Sequence, residues 1–557
     1  MSTDTAFDRD DPPVLGANPF VGLTRGQVAA ALARVGQRMA VEPGIAAGAA
    51  LDALGELVRV GVGRSAVEPA RGDRRFADPA WRGNPIFRRL MQGYLVEQQA
   101  VHRVVDEVDL DRKSRERAHF ALSLVTEALA PTNSLLTNPN ALAKAAETRG
   151  QSLVAGARHF AHDLRHNGGM PAQVDTRPFE VGRNVAVTPG EVVHRTDVFE
   201  LIQYAPSTDQ VYSRPLVAVP PQINRYYITD LAPGRSLVES TVAAGVPYFT
   251  ISWRNPTAEQ RDWNLDTYVV ACREAIDVAC RISRSRSANT VGLCAGGVTL
   301  AALLGHLAAR GEGSLVHSAT FLVAGLDTEA DSTVGSLASR RAVEAARARS
   351  RRAGVLAGED MAKVFAWLRP NDLVWNYWVN NYLLGENPPA FDILFWNGDT
   401  TRLPAALHSD FLDLYLGNGL VRGTLEVLGT PVDLGRVRSD SFVVAGYTDH
   451  IIPWDGAYRT TQLLGGDSEF VLSTGGHIQA ILNPLDNPKS SYMVSRSAGP
   501  TAADWRDGAT VVSGSWWPRW HEWLAARSGR RRTAPSTLGN PAHPPLDPAP
   551  GRYVHLR

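Results

Sequence analysis

The sequence predicts an α/β fold, in which a mostly parallel sheet carries helices on both faces and follows a mainly helical N-terminal domain. Two features of the pattern predict it. After about residue 170, short β-branched apolar runs alternate with amphipathic stretches, the rhythm of strand–helix–strand units. Before that point, apolar residues recur at spacings of three and four, and no alternating strand pattern stands out. The 557 residues also exceed the ~250–300 at which a single core stops growing, so two or more units are expected. The division expected is a helical domain over residues 1–185 and an α/β domain over 186–557.

In the first domain, GQVAAALARVGQRMA and RERAHFALSLVTEALA each supply one buried helical face, and the turn-rich segments ARGDRRFADPAWRGNP and APTNSLLTNPN separate such runs. In the second, the clearest strands are Pro215–Val219, Pro247–Ser252, Thr290–Leu293, Ser441–Gly446 and Glu469–Ser473. An amphipathic helix around NLDTYVVACREAIDVACRI lies between the second and third. A helical insertion over about 326–395 interrupts the rhythm; it begins with the Arg- and Ala-rich SRRAVEAARARSRRAG and gathers Trp367, Trp375, Tyr377, Trp378 and Tyr382. Such an insertion after a sheet strand reads as a cap over an active site or, equally, as additional core. The tail from about Arg527 is basic, then Pro-rich, and is expected to run extended over the surface.

Bulk properties exclude several classes. Lys plus Arg and Asp plus Glu both number 57, which argues against a nucleic-acid binder. Cys272, Cys280 and Cys294 form neither a disulfide framework nor a zinc-type spacing, so no metal is expected and a reducing intracellular setting fits. The acidic start MSTDTAFDRDDPP lacks the basic and apolar regions of a signal peptide, and no stretch approaches the ~20 apolar residues that span a bilayer. P-loop, HExxH and strand-linked GxGxxG motifs are absent.

The motif that carries chemistry is Gly292-Leu293-Cys294-Ala295-Gly296-Gly297, between a strand and the helix VTLAALLGHLAA. It is a nucleophile elbow with Cys where hydrolases usually carry Ser. The strained turn needs residues without side chains two before and two after the nucleophile, and the helix N-terminus behind it favours the thiolate. Cys272 and Cys280, eight residues apart on one amphipathic helix, read as buried cysteines instead.

Partners follow in the chain order of the α/β-hydrolase fold, nucleophile then acid then histidine. Asp449 follows the strand SFVVAG, and His477 follows EFVLS behind Gly475 and Gly476. Both stand past strand C-termini, where open α/β sheets build their sites. His477 is preferred as base over His450, because His450 adjoins Asp449 and neighbours in an extended loop point apart. An oxyanion hole would use the backbone N–H of Ala295 and a donor from the loop Val219–Asn224. Pro220 and Pro221 cannot donate, which leaves Gln222 or Ile223, with Ile223 the candidate taken forward.

These elements resemble one family. GLCAGG, PPQINRYYITDLAPGRSLV, FTISWRNPT, WNYWVNNYLL, FDILFWNGDTTRLPAALH, AGYTDHIIPW, GGHIQAILNP and the terminal PGRYVHLR are similar to the polyhydroxyalkanoate synthases, over about three-quarters of the chain. The resemblance is to the single-subunit type, and stretches such as GTPVDLGRV are most similar to the medium-chain branch, although Ala295 stands where that branch typically carries Ser.

The resemblance implies polymerisation of (R)-3-hydroxyacyl-coenzyme A into polyester, with Cys294 as nucleophile and His477 as base. Asp449 would either activate the 3-hydroxyl or orient His477. No resident cofactor is implied, because coenzyme A belongs to the substrate and is released. The implied partners are the growing polyester and its granule surface, a second copy of the chain and granule-associated proteins, in the cytoplasm. A thioesterase or polyester depolymerase of the same fold is the alternative, and a non-catalytic granule coat a further one.

Overall fold

The computed structural model describes residues 25–70, 73–328, 340–495 and 499–557. The acidic N-terminal stretch and residues 329–339 of the expected insertion lie outside the described residues.

The chain separates into two compact units. One holds the described residues up to Thr176 together with Met361–Phe391; the other holds Arg177–Asp360 and Asp392–Arg557. The insertion expected over 326–395 is therefore divided between them.

The first unit is helical, as its spacing predicts. Its longer helices are Arg25–Val41, Pro43–Gly61, Pro85–Glu107, Arg112–Ala128 and Gln151–His166. Local sequence sets several of their starts. Asn84 caps Pro85–Glu107 by accepting from the Ile86 amide, and Asp111 caps the next helix by accepting from the Ser114 amide. Part of the aromatic run of the insertion packs on the helix Gln151–His166. Trp378 meets Phe160 and Tyr382 edge-to-face, with ring centroids 6.1 and 5.1 Å apart. The Tyr382 hydroxyl donates to Asp163 at 2.8 Å, and Trp378 Nε1 donates to the Asn133 carbonyl at 3.1 Å. Backbones approach closely at Gly156, where an added Cβ would sit 2.0 Å from the Tyr382 carbonyl oxygen.

In the second unit, eleven strands form one sheet among the described residues. In chain order they are β1 (Gly190–Arg195), β2 (Phe199–Tyr204), β3 (Leu216–Val219), β4 (Tyr248–Trp253), β5 (Ala288–Leu293), β6 (Val316–Leu322), β7 (Asp440–Gly446), β8 (Ser468–Ser473), β9 (Ser491–Val494), β10 (Thr510–Ser513) and β11 (Asp547–Pro548). Their spatial order is β10-β9-β8-β7-β6-β5-β3-β4-β2-β1-β11. The six central strands, β3 to β8, are mutually parallel, and the outer ones are antiparallel. All five strands read from sequence are present, within two residues at either end. Those not singled out are β1, β2, β6 and the edges. Strand β2, FELIQY, shows why: it is buried along its whole length although it carries Glu200 and Gln203, so its polarity masks its place. Glu200 is satisfied by Arg195 at 2.6 Å and by the amides of Arg552 and Tyr553, both at 2.9 Å.

Most of the tail from about Arg527 is exposed or half-buried, in line with a run over the surface, but β11 pairs with β1, and Tyr553 and Val554 are buried. Just before the tail, Trp516, Trp517 and Trp520 are fully buried, each with its indole N–H bonded, so they enter the core without orphaned donors. Among the described residues, no helix is long and apolar enough to cross a membrane.

Gly156→Ala should destabilise the helical unit by ~1–3 kcal/mol, because backbone rather than a flexible side chain meets the added methyl. A urea midpoint equal to the wild type's would contradict this contact.

Candidate active site

Strand β5 delivers Cys294 to a sharp turn before the helix Ala295–Ala309. Cys294 adopts φ 47° and ψ −121°, a conformation that L-residues rarely take. Neighbouring elements leave no room for side chains around it. A Cβ on Gly292 would lie 2.7 Å from Gly297 Cα; on Gly296, 2.2 Å from the Val219 carbonyl oxygen; on Gly297, 2.5 Å from Ala324 Cβ. The elbow is thus wedged between the end of β3 and the segment after β6. Gly297 was not singled out from sequence, and neither was Val323, a β-branched residue at φ 46° just past β6.

The acid and the histidine arrive on adjacent parallel strands, β7 and β8. Gly446 ends β7, and a Cβ there would sit 2.8 Å from the Gly475 carbonyl oxygen. That absence of a side chain lets the two loops lie side by side, joined by Tyr447 N–H to Ser473 O at 2.7 Å and Thr448 N–H to Gly475 O at 3.2 Å. Asp449 and His477 are both buried. His477 Nδ1 donates to Asp449 Oδ2 at 2.6 Å, while Asp449 Oδ1 accepts from the amides of Ile451 and Ile452 at 2.8 and 3.0 Å. These amides could not be read from sequence, because the donors are backbone.

His477 opens a short helix, His477–Ile481, whose far end is tied down by two indoles. Trp516 Nε1 donates to Ala480 O at 2.8 Å, and Trp517 Nε1 to Ile481 O at 3.2 Å. Cys294 lies close enough to the His477 side chain to act on its charge. With Nδ1 committed to Asp449, Nε2 is the atom left for the sulfur. Burial works against charge on the imidazole. The negative charges of Asp449 and Cys294, with the hydrogen bond to Asp449, prevail and raise its pKa from 6.5 to about 10. Cys272 and Cys280 are both buried on Leu265–Ser283, and burial pushes both thiols up, that of Cys280 to about 12. They are far from nucleophilic.

The loop after β3, which the sequence proposed as a source of an oxyanion donor, lies beside the elbow through the Gly296 contact. Gln222 Nε2 donates to Thr299 Oγ1 at 2.9 Å, tying the loop to the helix behind Cys294. Among the described residues, no group of three or more His, Cys, Asp or Glu side chains is arranged to hold a metal ion.

A cysteine on a left-handed strand-to-helix turn, with a carboxylate and a histidine past two later parallel strands, defines a site of the α/β-hydrolase class. Residues 233–484 match the alpha/beta hydrolase fold family. Residues 72–241 match the family described as the N-terminus of poly-beta-hydroxybutyrate polymerase (PhaC).

Relatives narrow the class to one family. The chain is 50% identical over 504 residues to poly(3-hydroxyalkanoate) polymerase 2 of Ectopseudomonas oleovorans, covering 90% of each chain. It is 48% identical over 545 residues to polymerase 1 of the same organism, covering 98% of this chain and 97% of the relative. It is 43% identical over 495 residues to the poly(3-hydroxyalkanoate) polymerase subunit PhaC of Cupriavidus necator, covering 87% and 83%. The chain belongs to the poly(3-hydroxyalkanoate) polymerase family.

The raised imidazole has a consequence for stability. The native state keeps a proton on His477 that the unfolded chain gives up, so this stabilisation is full below pH 6.5 and is lost as pH rises towards about 10. Asp449→Asn removes the leading charge that raises the pKa. The stability difference between wild type and Asp449→Asn should therefore shrink across that window in urea unfolding. Parallel curves would show that the pair does not set the proton's affinity.

Proposed function

We propose that the protein polymerises (R)-3-hydroxyacyl-coenzyme A into polyester and releases coenzyme A. The observation that carries this reading is the buried Asp449–His477 pair beside the half-buried Cys294 on its strained turn. In the proposed reaction, the Cys294 thiolate attacks the thioester carbonyl while its proton rests on His477. The oxyanion that forms is held by the Ala295 N–H and the N–H of Ile223 or Gln222. The carbon–sulfur bond to coenzyme A breaks, the departing thiolate takes the proton from His477, and the acyl group remains on Cys294. The 3-hydroxyl of another monomer then attacks that acyl group. Its proton passes to His477, the new ester forms, and the Cys294 thiolate is released.

Both oxygens of Asp449 are already engaged, one by His477 and one by two amides. This supports Asp449 as the group that orients His477, rather than as the base for the hydroxyl. A cysteine suits the cycle because thiol–thioester exchange is nearly isoenergetic and the resulting thioester remains reactive toward an alcohol. Cys294 also packs against the large apolar core cluster of its unit. An apolar surround favours an acyl chain over water. The reaction as written needs no resident cofactor. The reading extends to a homodimer working in the cytoplasm at the surface of its own polyester granule, alongside granule-associated proteins. It also extends to medium-chain monomers.

Incubating the pure protein with 3-hydroxybutyryl- and 3-hydroxyoctanoyl-coenzyme A should yield coenzyme A and insoluble polymer, with faster turnover of the longer monomer. Free 3-hydroxy acid in place of polymer would establish a thioesterase instead. Cys294→Ala should abolish both coenzyme A release and polymer. Asp449→Asn should slow acylation and elongation alike; intact acylation with elongation lost would show that the carboxylate acts on the hydroxyl directly.

A further inference from the structure

The loop Pro220–Arg225 is held from outside by residues that the chemistry above does not use. The Thr401 hydroxyl donates to the Gln222 carbonyl at 2.7 Å, and the Thr401 amide donates to the Ile223 carbonyl at 3.4 Å. Asn224 and Thr400 form an antiparallel bridge, and Trp396 Nε1 donates to the Arg225 carbonyl at 2.8 Å. Trp253 Nε1 holds the Pro220 carbonyl at 2.9 Å. Four carbonyls of one short loop are thereby fixed.

Behind the loop, the buried Arg225 guanidinium joins three distant stretches of chain. It pairs with Asp399 at 3.4 Å, and it donates to the carbonyls of Tyr553 at 3.1 Å and Leu556 at 2.5 Å. Asp399 also accepts from the Tyr227 hydroxyl at 2.8 Å and pairs with Arg557. Asn255 completes the set: its amide nitrogen donates to Leu556 O at 3.2 Å, and its oxygen accepts from Arg402 N–H at 2.9 Å. Burying such ions brings little net stability, since desolvation offsets most of the attraction. What the arrangement secures is geometry.

In a trans peptide, the carbonyl and the N–H on the same plane point in opposite directions. The plane joining Gln222 to Ile223 carries the Gln222 carbonyl and the Ile223 N–H. With that carbonyl drawn toward Thr401, the Ile223 N–H is aimed away from Thr401. The opposite side of this loop is tied to the elbow and its helix, through the Gly296 contact and the Gln222–Thr299 bond.

We infer that Thr401, backed by the Arg225–Asp399 latch, is a positioning residue that aims the Ile223 N–H at the carbonyl oxygen of the thioester bound at Cys294. Ile223 is then the second oxyanion donor in place of Gln222, and the terminal residues Tyr553–Leu556 form the third wall of the device. The inference rests on the acyl-transfer reading above.

Alkylation of Cys294 by iodoacetamide needs a thiolate but no oxyanion donor, whereas acylation by 3-hydroxyacyl-coenzyme A needs both. Thr401→Val keeps the side-chain volume and deletes one hydrogen bond. It should lower kcat for coenzyme A release by about 10–100-fold, with KM and the alkylation rate unchanged. Thr401→Ser keeps the hydroxyl and should restore most of the rate. Arg225→Met should show the same split, and Arg225→Lys a partial recovery. Wild-type kcat in Thr401→Val would overturn the inference, as would alkylation falling in proportion to turnover in both variants, which marks general damage. Wild-type protein that is alkylated at Cys294 yet releases no coenzyme A would overturn the acyl-transfer reading itself, and the latch with it.

Discussion

The left-handed turn at Cys294 is the constraint on which the rest of the site depends. A non-glycine residue held there costs of order 1–3 kcal/mol, and it persists only where its surroundings over-determine it. Here the surroundings are three elements pressed against three glycines: the end of β3 on Gly296, the segment after β6 on Gly297, and the helix back onto Gly292. Each contact is too close for a Cβ, so each glycine records the approach of one particular neighbour. The same compression brings the start of the β3 loop against the elbow. Relaxing the turn would therefore displace both the nucleophile and the loop expected to stabilise its oxyanion.

A second close approach does for the acid and base what the elbow does for the nucleophile. Gly446 lets the loop carrying Asp449 run against the loop carrying His477, and backbone hydrogen bonds join the two. Asp449 then spends one oxygen on two amides and the other on Nδ1 of His477. Such a carboxylate has no freedom to turn, so the imidazole it holds has none either. The indoles of Trp516 and Trp517 secure the far end of the His477 helix from the opposite direction in the chain. Fixed tautomer and fixed ring orientation follow from this packing, and general-base chemistry requires both.

What was legible in the sequence was whatever a short window carries. The elbow announces itself within six residues, and Asp449 and His477 stand just past strands whose β-branched runs identify them. Most of the central parallel strands were legible because burial on both faces makes them continuously apolar; β6, interrupted by the exposed His317, was not. Strands β1 and β2 were not, since Glu200 is neutralised by Arg195, five residues away, and by amides at the far end of the chain. The aromatic run around Trp378 reads the same as lid or as core; which rings meet it is decided by Phe160 and Asp163, more than two hundred residues earlier. The Pro-rich composition of the tail marked a chain with little regular structure, but not that its last residues, Tyr553 and Val554, would be buried.

The alternative between hydrolysis and polymer synthesis cannot turn on the triad, because both reactions use the same relay and the same oxyanion. In the proposed reaction it turns on whether water or an alcohol reaches the acyl group on Cys294, and on how long that acyl group survives. The stretch Asp392–Arg402 bears on the acylation step before it. Its first half places Ile393 and Phe395 against the apolar cluster that Cys294 joins, with Phe395 packed on Phe179 at 5.1 Å between ring centroids. Its second half supplies Asp399, Thr400 and Thr401, which grip the loop after β3. One short segment therefore packs on the apolar core of its unit and holds a peptide plane in the loop after β3. On the proposed reaction, a movement of that segment would turn the Gln222–Ile223 peptide plane and slow acylation.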